Sequence, residues 1–367
     1  MPPPLLEAIR TTQVFGRQPR HRNVALSDVS LRIAGDQPSF TAVVGESGSG
    51  KTTLARVLLG LQPPTSGEVR YRGTDLYKAG ARQRDEFRRD VQAIFQDPFE
   101  VYNPFYKVDH LLTVPIRKFG LAKGRARMGE LIEAALHDVG LRPEETLGRY
   151  PHQLSGGQRQ RLTVARGLLI RPRLIIADEP VSMVDASLRK TILTTLRHLN
   201  EDYGISFVYI THDLATAQQV SENILVLYRG VVVEAGDAAR VISQPQHPYT
   251  QLLVSSVPEP DPTRRWGLSQ VPSQTDVTTF AGEDLPDADH SVAAAEAGLD
   301  GCAFADRCPH AMPMCTQSPP PLYHLHDHQA AACFLHRDIE ATVEGDVSAA
   351  FRSPASQERV EDSRHTP

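Results

Sequence analysis

The chain has one tryptophan in 367 residues, its aromatic content is only 6%, and residues 1–301 contain no cysteine at all. No apolar run reaches the roughly 18 residues that a membrane-spanning helix needs. The opening stretch MPPPLLEAIRTTQVFG lacks the charged-then-apolar layout of a secretory leader. The expected compartment is therefore the cytoplasm, where thiols stay reduced. There is no basic surplus either: 39 Lys and Arg against 44 Asp and Glu leave a net charge of −5, which gives no support to broad nucleic-acid binding. No internal repeat is visible. What remains, 40% apolar and 23% charged residues, fits a soluble globular protein of two or three domains.

Residues 1 to about 235 alternate short β-rich runs with helical patterns. SFTAVVG (39–45), RLIIAD (173–178) and ISFVYIT (205–211) are continuous apolar runs, as expected of strands buried on both faces of a parallel sheet. TTLARVLLGL and QRLTVARGLLI have helical spacing. The alternation predicts an α/β fold. Between about 96 and 165 the strand signal fades, and RARMGELIEAALHDVGL (125–141) reads as a helix ended by Gly140, so this segment is expected to be a helical insertion. NILVLYRGVVVEAG (223–236) returns to short strands around a turn at Arg229-Gly230. The expected division is a nucleotide-binding domain over 1–238, a C-terminal extension over 239–262, a linker over 263–298, a four-cysteine region over 299–338 and a disordered tail over 339–367.

GESGSGKTT, Gly45 to Thr53, fits the phosphate-loop pattern G-x-x-x-x-G-K-S/T between a predicted strand and a predicted helix. Gly45, Gly48 and Gly50 let backbone N–H groups converge on phosphate oxygens, with Glu46, Ser47 and Ser49 filling the loop. Lys51 can reach the β- and γ-phosphates, and Thr52 can ligate Mg²⁺. The bland alternative is a glycine-rich turn carrying a surface lysine. LIIADEP (174–180) puts Asp178 at the carboxyl end of a buried strand, where it would hold Mg²⁺ through water, and Glu179 one residue later, placed as general base. Without the phosphate loop upstream these would be two exposed acids. His212 ends another strand in YITHD, at the same sheet edge, which favours a γ-phosphate contact over a satisfied surface histidine. Gln96 in IFQDP is expected to touch Mg²⁺ or the attacking water, although alone it is not distinctive.

A second glycine motif, LSGGQRQR (154–161), opens the helix that follows it. Ser155 is the expected N-cap, and Gly156, Gly157 and Gln158 leave N–H groups open at the positive end of the helix dipole. A second anion cradle in one chain either binds another anion or serves a nucleotide held by another chain.

The ordered set GESGSGKTT, IFQDP, LSGGQRQR, LIIADEP, SMVD and YITHD resembles the ABC-type ATPases over residues 1 to about 235. The resemblance implies a P-loop NTPase core, RecA-like, with the helical ABC insertion. It implies ATP hydrolysis with Mg²⁺, and two ATP molecules sandwiched in a head-to-tail dimer, so that Ser155, Gly156 and Gly157 serve the neighbour's ATP. Phe15 falls where the family stacks an aromatic on adenine, with Phe in place of the more usual Tyr. Asp185 is kept in SMVD (182–185), where the family more often reads S-A-L-D; Met183 and Val184 put cross-subunit communication in question.

QPQHPYTQLLVSSVPEPDP, with His247-Pro248-Tyr249-Thr250, is similar to the C-terminal extension of oligopeptide and dipeptide importer ATPases. That resemblance implies an energy-coupling subunit on the cytoplasmic face of the cell membrane. It would work with a second ATPase subunit, the same chain or a paralogue, with two transmembrane permease subunits and indirectly with an extracytoplasmic solute-binding protein; no nucleic-acid partner is implied. Relatives carrying oligosaccharides or nickel leave the substrate open. A soluble ABC ATPase acting on nucleic acid or ribosomes is the rival. The absence of a long insertion between phosphate loop and signature, and of a second cassette, argues against it, and the importer-like tail argues against an exporter. Phe99, Tyr102, Phe105 and Tyr106 are expected to line the groove for a permease helix, unless they are core of the helical insertion.

Cys302, Cys308, Cys315 and Cys333 complete the sequence. Four thiols in a reducing compartment suggest a metal site. Their spacing is looser than the usual zinc pairs and suits an iron–sulfur cluster. The likeness of GCAFADRCPHA and the later cysteines to the peptide-importer family implies a 4Fe–4S cluster. Zinc, with nearby His310, His324, His326, His328 and His336, and inert thiols are the alternatives.

Overall fold

In the computed structural model, residues 3–16, 22–96, 102–257, 300–339 and 346–351 are described. Two sheets carry them. The first is antiparallel, in the order β2-β1-β4-β5: β1 (Leu6–Phe15), β2 (Asn23–Ile33), β4 (Ser66–Tyr71) and β5 (Thr74–Asp75). Sequence reading did not foresee it as a separate sheet. These strands alternate buried and partly exposed residues, the mark of a sheet covered on one face only.

The second sheet has eight strands. Its parallel part is β3 (Phe40–Val44), β6 (Val91–Ile94), β7 (Leu174–Asp178), β8 (Ser206–Thr211) and β9 (Asn223–Tyr228), in spatial order β9-β3-β8-β7-β6. Every residue of β3, β7, β8 and β9 is buried, which explains why these strands read as unbroken apolar runs. The two-residue pleat then splits them between two cores. Phe40, Ala42, Val44, Phe207 and Tyr209 face one core, shared with the helices α3 (Asp109–Lys118), α4 (Arg125–Asp138), α6 (Gly156–Leu168), α7 (Ala186–Tyr203) and α8 (Leu214–Val220). Val43, Leu174, Ile176, Val208 and Ile210 face the other, shared with α1 (Lys51–Leu58) and the antiparallel sheet. The helical segment between β6 and β7 also contains α5 (Pro143–Thr146), while α2 (Ala81–Asp90) precedes β6.

The C-terminal region extends the same large sheet. β10 (Val231–Asp237) pairs antiparallel with β9, and β12 (Gln329–Ala331) with β10; β11 (Tyr323–His326) closes the edge. The cysteine-bearing region is thus built onto the large sheet. Glu234 on β10 is fully buried and holds the junction: its carboxylate accepts the backbone N–H groups of Gln246 (3.0 Å) and His247 (2.9 Å) and the side-chain amide of Gln329 (2.8 Å). Between them lie α9 (Ala238–Ser243) and α10 (Pro248–Ser255).

The linker expected over 263–298 lies outside the described residues. The tail expected to be disordered over 339–367 is corrected for residues 346–351. Val347 and Ala350 are buried, and Arg32 binds the segment through its backbone N–H to Ser348 and its guanidinium to Asp346 at 3.3 Å. Two apolar residues three apart, too few to stand out in the sequence, anchor this turn.

Candidate active site

Four parallel strands, β3, β8, β7 and β6, end in near register: Val44 pairs with Thr211, Asp178 with Ile210 and Ile94 with Ala177. The residues that follow them therefore emerge at one sheet edge. Gly45 begins the loop after β3, His212 follows β8, Glu179 follows β7 and Gln96 stands two residues past β6. This is the edge where open α/β sheets bind ligands.

The loop Gly45–Gly50 leads directly into α1. Only glycine fits at two of its positions. A Cβ on Gly45 would meet Leu227 O at 2.1 Å, and one on Gly50, at φ +101°, would meet Ala25 O at 2.3 Å. Lys51 is almost fully buried, and its ammonium donates to Gly45 O (2.8 Å) and Glu46 O (2.7 Å). Burial pulls its pKa down, opposed by the nearby carboxylates of Glu179, Asp178 and Glu46. Ser49 is buried, while Ser47, Gly48 and Thr52 are exposed at the mouth of the loop and Thr53 is half-buried.

Asp178 is buried at the end of β7, and its Oδ1 has no hydrogen-bond partner. Burial raises its pKa, against the neighbouring Thr52 hydroxyl, which favours the charged form. A buried carboxylate oxygen without a partner beside a hydroxyl is a donor set suited to a hard divalent cation. Thr52 and Asp178 would hold Mg²⁺, which supplies charge neutralisation at the phosphates when bound. Gln96 is exposed at this edge.

Glu179 adopts φ +46°, a left-handed conformation that costs a non-glycine residue about 1–2 kcal/mol. The turn is held by Glu179 N–H on Ile210 O (2.9 Å) and by Ser182, whose hydroxyl donates to Glu179 O (3.0 Å). The strained turn brings Glu179 Oε1 to 3.0 Å from His212 Nδ1. A carboxylate paired with an imidazole beside the phosphate loop is equipped to polarise a water molecule. Nothing in the sequence announced the strain.

Ser155 caps α6 through a capping box: its hydroxyl accepts the Gln158 N–H (3.2 Å), and Gln158 Oε1 accepts the Ser155 N–H (2.9 Å). Gly157 lies against Leu188 of α7, where a Cβ would meet Leu188 Cδ1 at 2.7 Å, and the nearest outside atom to Gly156 is Met183 O. Ser155 and Asp185 are exposed, and Met183 is 60% exposed. Phe15, at the end of β1, presents an exposed ring.

Of the aromatic run, Phe99 lies outside the described residues. Tyr102 packs against the core, and its hydroxyl donates to Arg159 O at 2.8 Å, so it does not line an open groove. Phe105 is 87% exposed and Tyr106 51%, the latter stacked on His110.

The ABC transporter family profile matches residues 26–182, and the oligopeptide/dipeptide transporter C-terminal region matches residues 233–315. The oligopeptide transport ATP-binding protein OppF of Salmonella typhimurium is 38% identical over 83% of this chain and 86% of its own length. The di/tripeptide transport ATP-binding protein DppF of Pseudomonas aeruginosa is 37% identical over 84% of this chain and 89% of its own. The chain belongs to the ABC transporter ATP-binding family. Among solved structures, the ATP-binding cassette MJ0796 in a dimeric, post-hydrolysis state bound to ADP and Pi is 28% identical, covers 64% of this chain and superposes with a TM-score of 0.56. The fold is that of the P-loop ATPase cassettes, and ATP hydrolysis is the activity of this ABC ATPase. No helix among the described residues is long and apolar enough to cross a membrane.

Two contacts at the loop were not anticipated. Tyr249, from the HPYT segment, accepts the Glu46 N–H on its hydroxyl at 2.9 Å, and Arg307, beside Cys308, pairs with the Glu46 carboxylate. The likeness of HPYT to the importer extension marked the segment, but only the fold brings it to the loop.

Proposed function

We propose that this chain powers import of oligopeptides or dipeptides from the cytoplasmic face of the cell membrane. It closes as a head-to-tail pair on two ATP molecules and passes that motion to two transmembrane permease subunits, which receive solute from an extracytoplasmic binding protein. The observation that carries the mechanism is the signature helix: Ser155 at its N-terminus caps it and is exposed, and its first turn lies beside Met183 and Leu188. The oriented N–H groups there await phosphate from a partner. In each composite site Lys51 and the loop hold the phosphates, Thr52, Asp178 and Gln96 hold Mg²⁺, Phe15 stacks on adenine, and Glu179 polarises the water with His212 beside it. Asp185 lies at the subunit boundary. Peptide cargo follows from relatives named for oligopeptide and di/tripeptide transport. Phe105 and Tyr106 are the exposed aromatics we assign to permease contact.

The four cysteines complete the proposal as ligands of a 4Fe–4S cluster. Support comes from the packing of this region: Cys302 N–H donates to Cys315 O at 2.7 Å, and Cys315 and Cys333 are buried. Burial raises the pKa of Cys302, Cys308 and Cys333, opposed by the backbone N–H groups of Phe304, His310 and Leu335, and Met312 N–H reaches Cys315 Sγ at 3.4 Å. Such bonds tune cluster thiolates. Among the described residues no three His, Cys, Asp or Glu side chains are close enough to hold a single metal ion.

The import reading is tested by reconstituting the chain with its permeases in vesicles loaded with ATP. Uptake of labelled oligopeptide is expected; uptake of an oligosaccharide or nickel instead would replace the cargo. The cluster is tested by anaerobic purification: absorbance near 400 nm with about four irons per chain is expected, and stoichiometric zinc without that absorbance would refute it.

A further inference from the structure

The phosphate loop contains a negative charge where it must bind a polyanion. Glu46 follows Gly45 directly, and its carboxylate is close enough to stabilise the Lys51 ammonium. Left alone, it would repel ATP phosphates. It is not left alone. Arg307 approaches it bidentately, Nη1 to Oε2 at 3.1 Å and Nη2 to Oε1 at 3.3 Å. This fork geometry fixes orientation as well as charge.

Arg307 is itself held. Its guanidinium lies 5.9 Å from the Tyr228 ring centroid and 5.6 Å from that of Phe304, and it donates to the Tyr228 hydroxyl at 3.3 Å. Tyr228, Tyr249 and Phe304 pack on one another with centroids 4.4–5.6 Å apart. Tyr249 in turn takes the Glu46 backbone N–H, and Lys51 takes the Glu46 carbonyl. Glu46 is thus gripped at its N–H, its carbonyl and its carboxylate, and two of the three grips come from beyond the cassette's last β-hairpin.

We propose that Arg307, on the cysteine-bearing segment, is a positioning residue for ATP binding: it cancels the Glu46 charge and fixes the first turn of the phosphate loop. The cysteine region, 261 residues away in sequence, thereby sets the nucleotide affinity of the cassette. The pair acts on ground-state binding, because it contacts the loop and not Glu179, Asp178 or His212. Both side chains are 42% exposed, so the effect is modest and weakens with added salt.

The test uses the full chain with Arg307→Met, which keeps an apolar stem against Tyr228 and Phe304, and Arg307→Lys, which keeps the charge. ATPase kinetics and the affinity for a fluorescent ATP analogue are measured at low and high salt, with thermal unfolding as a check on folding. Arg307→Met is expected to raise the KM for MgATP about threefold to fivefold, with kcat within about twofold of the parent. Arg307→Lys should lie between the two. Adding Glu46→Gln to Arg307→Met should restore KM, because no charge is left to cancel. The proposal is overturned if Arg307→Met keeps the parental KM, if only kcat falls, or if Glu46→Gln does not rescue. Should Arg307→Met not fold, Arg307→Lys and Glu46→Gln decide: a raised KM in Arg307→Lys with a parental KM in Glu46→Gln supports charge cancellation, and a parental KM in Arg307→Lys or a raised KM in Glu46→Gln overturns it. The proposal rests on ATP being the ligand of the loop. Failure of that reading would show as no nucleotide binding by the parent chain, a result distinct from any of these.

Discussion

Lowering the pH from 7 to 5 should loosen the C-terminal extension through one residue, His247. This side chain is 1% exposed and caps α10, with Nδ1 accepting the Tyr249 N–H at 3.0 Å; its Nε2 has no protein partner. Burial, reinforced by His336, lowers its pKa from 6.5 to about 4. Between those values the unfolded chain binds more protons than the folded one, so stability rises with pH. The contribution is fully present above pH 6.5 and is lost as pH falls toward 4. For one group with these two values the loss between pH 7 and pH 5 is about 2 kcal/mol. Other groups titrate as well, so the comparison is with His247→Asn, which retains an N-cap acceptor but does not titrate. Urea midpoints for both proteins at pH 5, 6 and 7, at constant ionic strength, give the two slopes. The parent should lose about 2 kcal/mol more than the variant. Parallel profiles would refute the reasoning and mean that the imidazole reaches solvent or a proton acceptor.

Three further outcomes follow from the same geometry. Asp178→Asn should lower phosphate release on the order of 100-fold, with nucleotide still bound by the loop, as read by fluorescent-analogue titration. Glu234→Ala leaves the buried His247 N–H and the half-buried Gln246 N–H without their acceptor, while Gln329 keeps Gln244 O, and should cost about 3 kcal/mol in urea unfolding, since each orphaned donor costs about 1–3 kcal/mol. Phe105→Ala with Tyr106→Ala should leave the unfolding temperature and basal hydrolysis of the isolated chain unchanged, while peptide uptake by the reconstituted transporter falls; uptake at the parental rate would remove both rings from the permease contact.

Much of the core was legible because its strands are buried on both faces. SFTAVVG, RLIIAD and ISFVYIT carry that burial in their composition, and each contains a strand of the sheet. Their shared direction then places Gly45, Asp178, Glu179 and His212 at one edge. The antiparallel sheet was less legible, since its one-sided strands are interrupted by register shifts in β1. The left-handed Glu179 could not be read at all: backbone strain is imposed by the surrounding turn and leaves no compositional trace. The same holds for Arg307. Nothing within a few residues of it mentions the phosphate loop; the contact depends on the docking of its segment onto the cassette, through Arg229 with Asp306 and Phe304 against Tyr228 and Tyr249. Tyr102 shows the converse. An aromatic in an aromatic-rich run reads as a surface anchor until its hydroxyl is found on Arg159 O inside the helical region.

The central claim is that the Ser155 helix completes a nucleotide site on another subunit. The most direct test is the mass in solution of the Glu179→Gln variant, by size exclusion with light scattering, with and without MgATP. With hydrolysis blocked, MgATP should convert the monomer into a dimer, and the dimer should disappear when Ser155→Arg is added. A variant that binds MgATP yet stays monomeric, both alone and mixed with a second ATPase subunit of its transporter, would contradict the account.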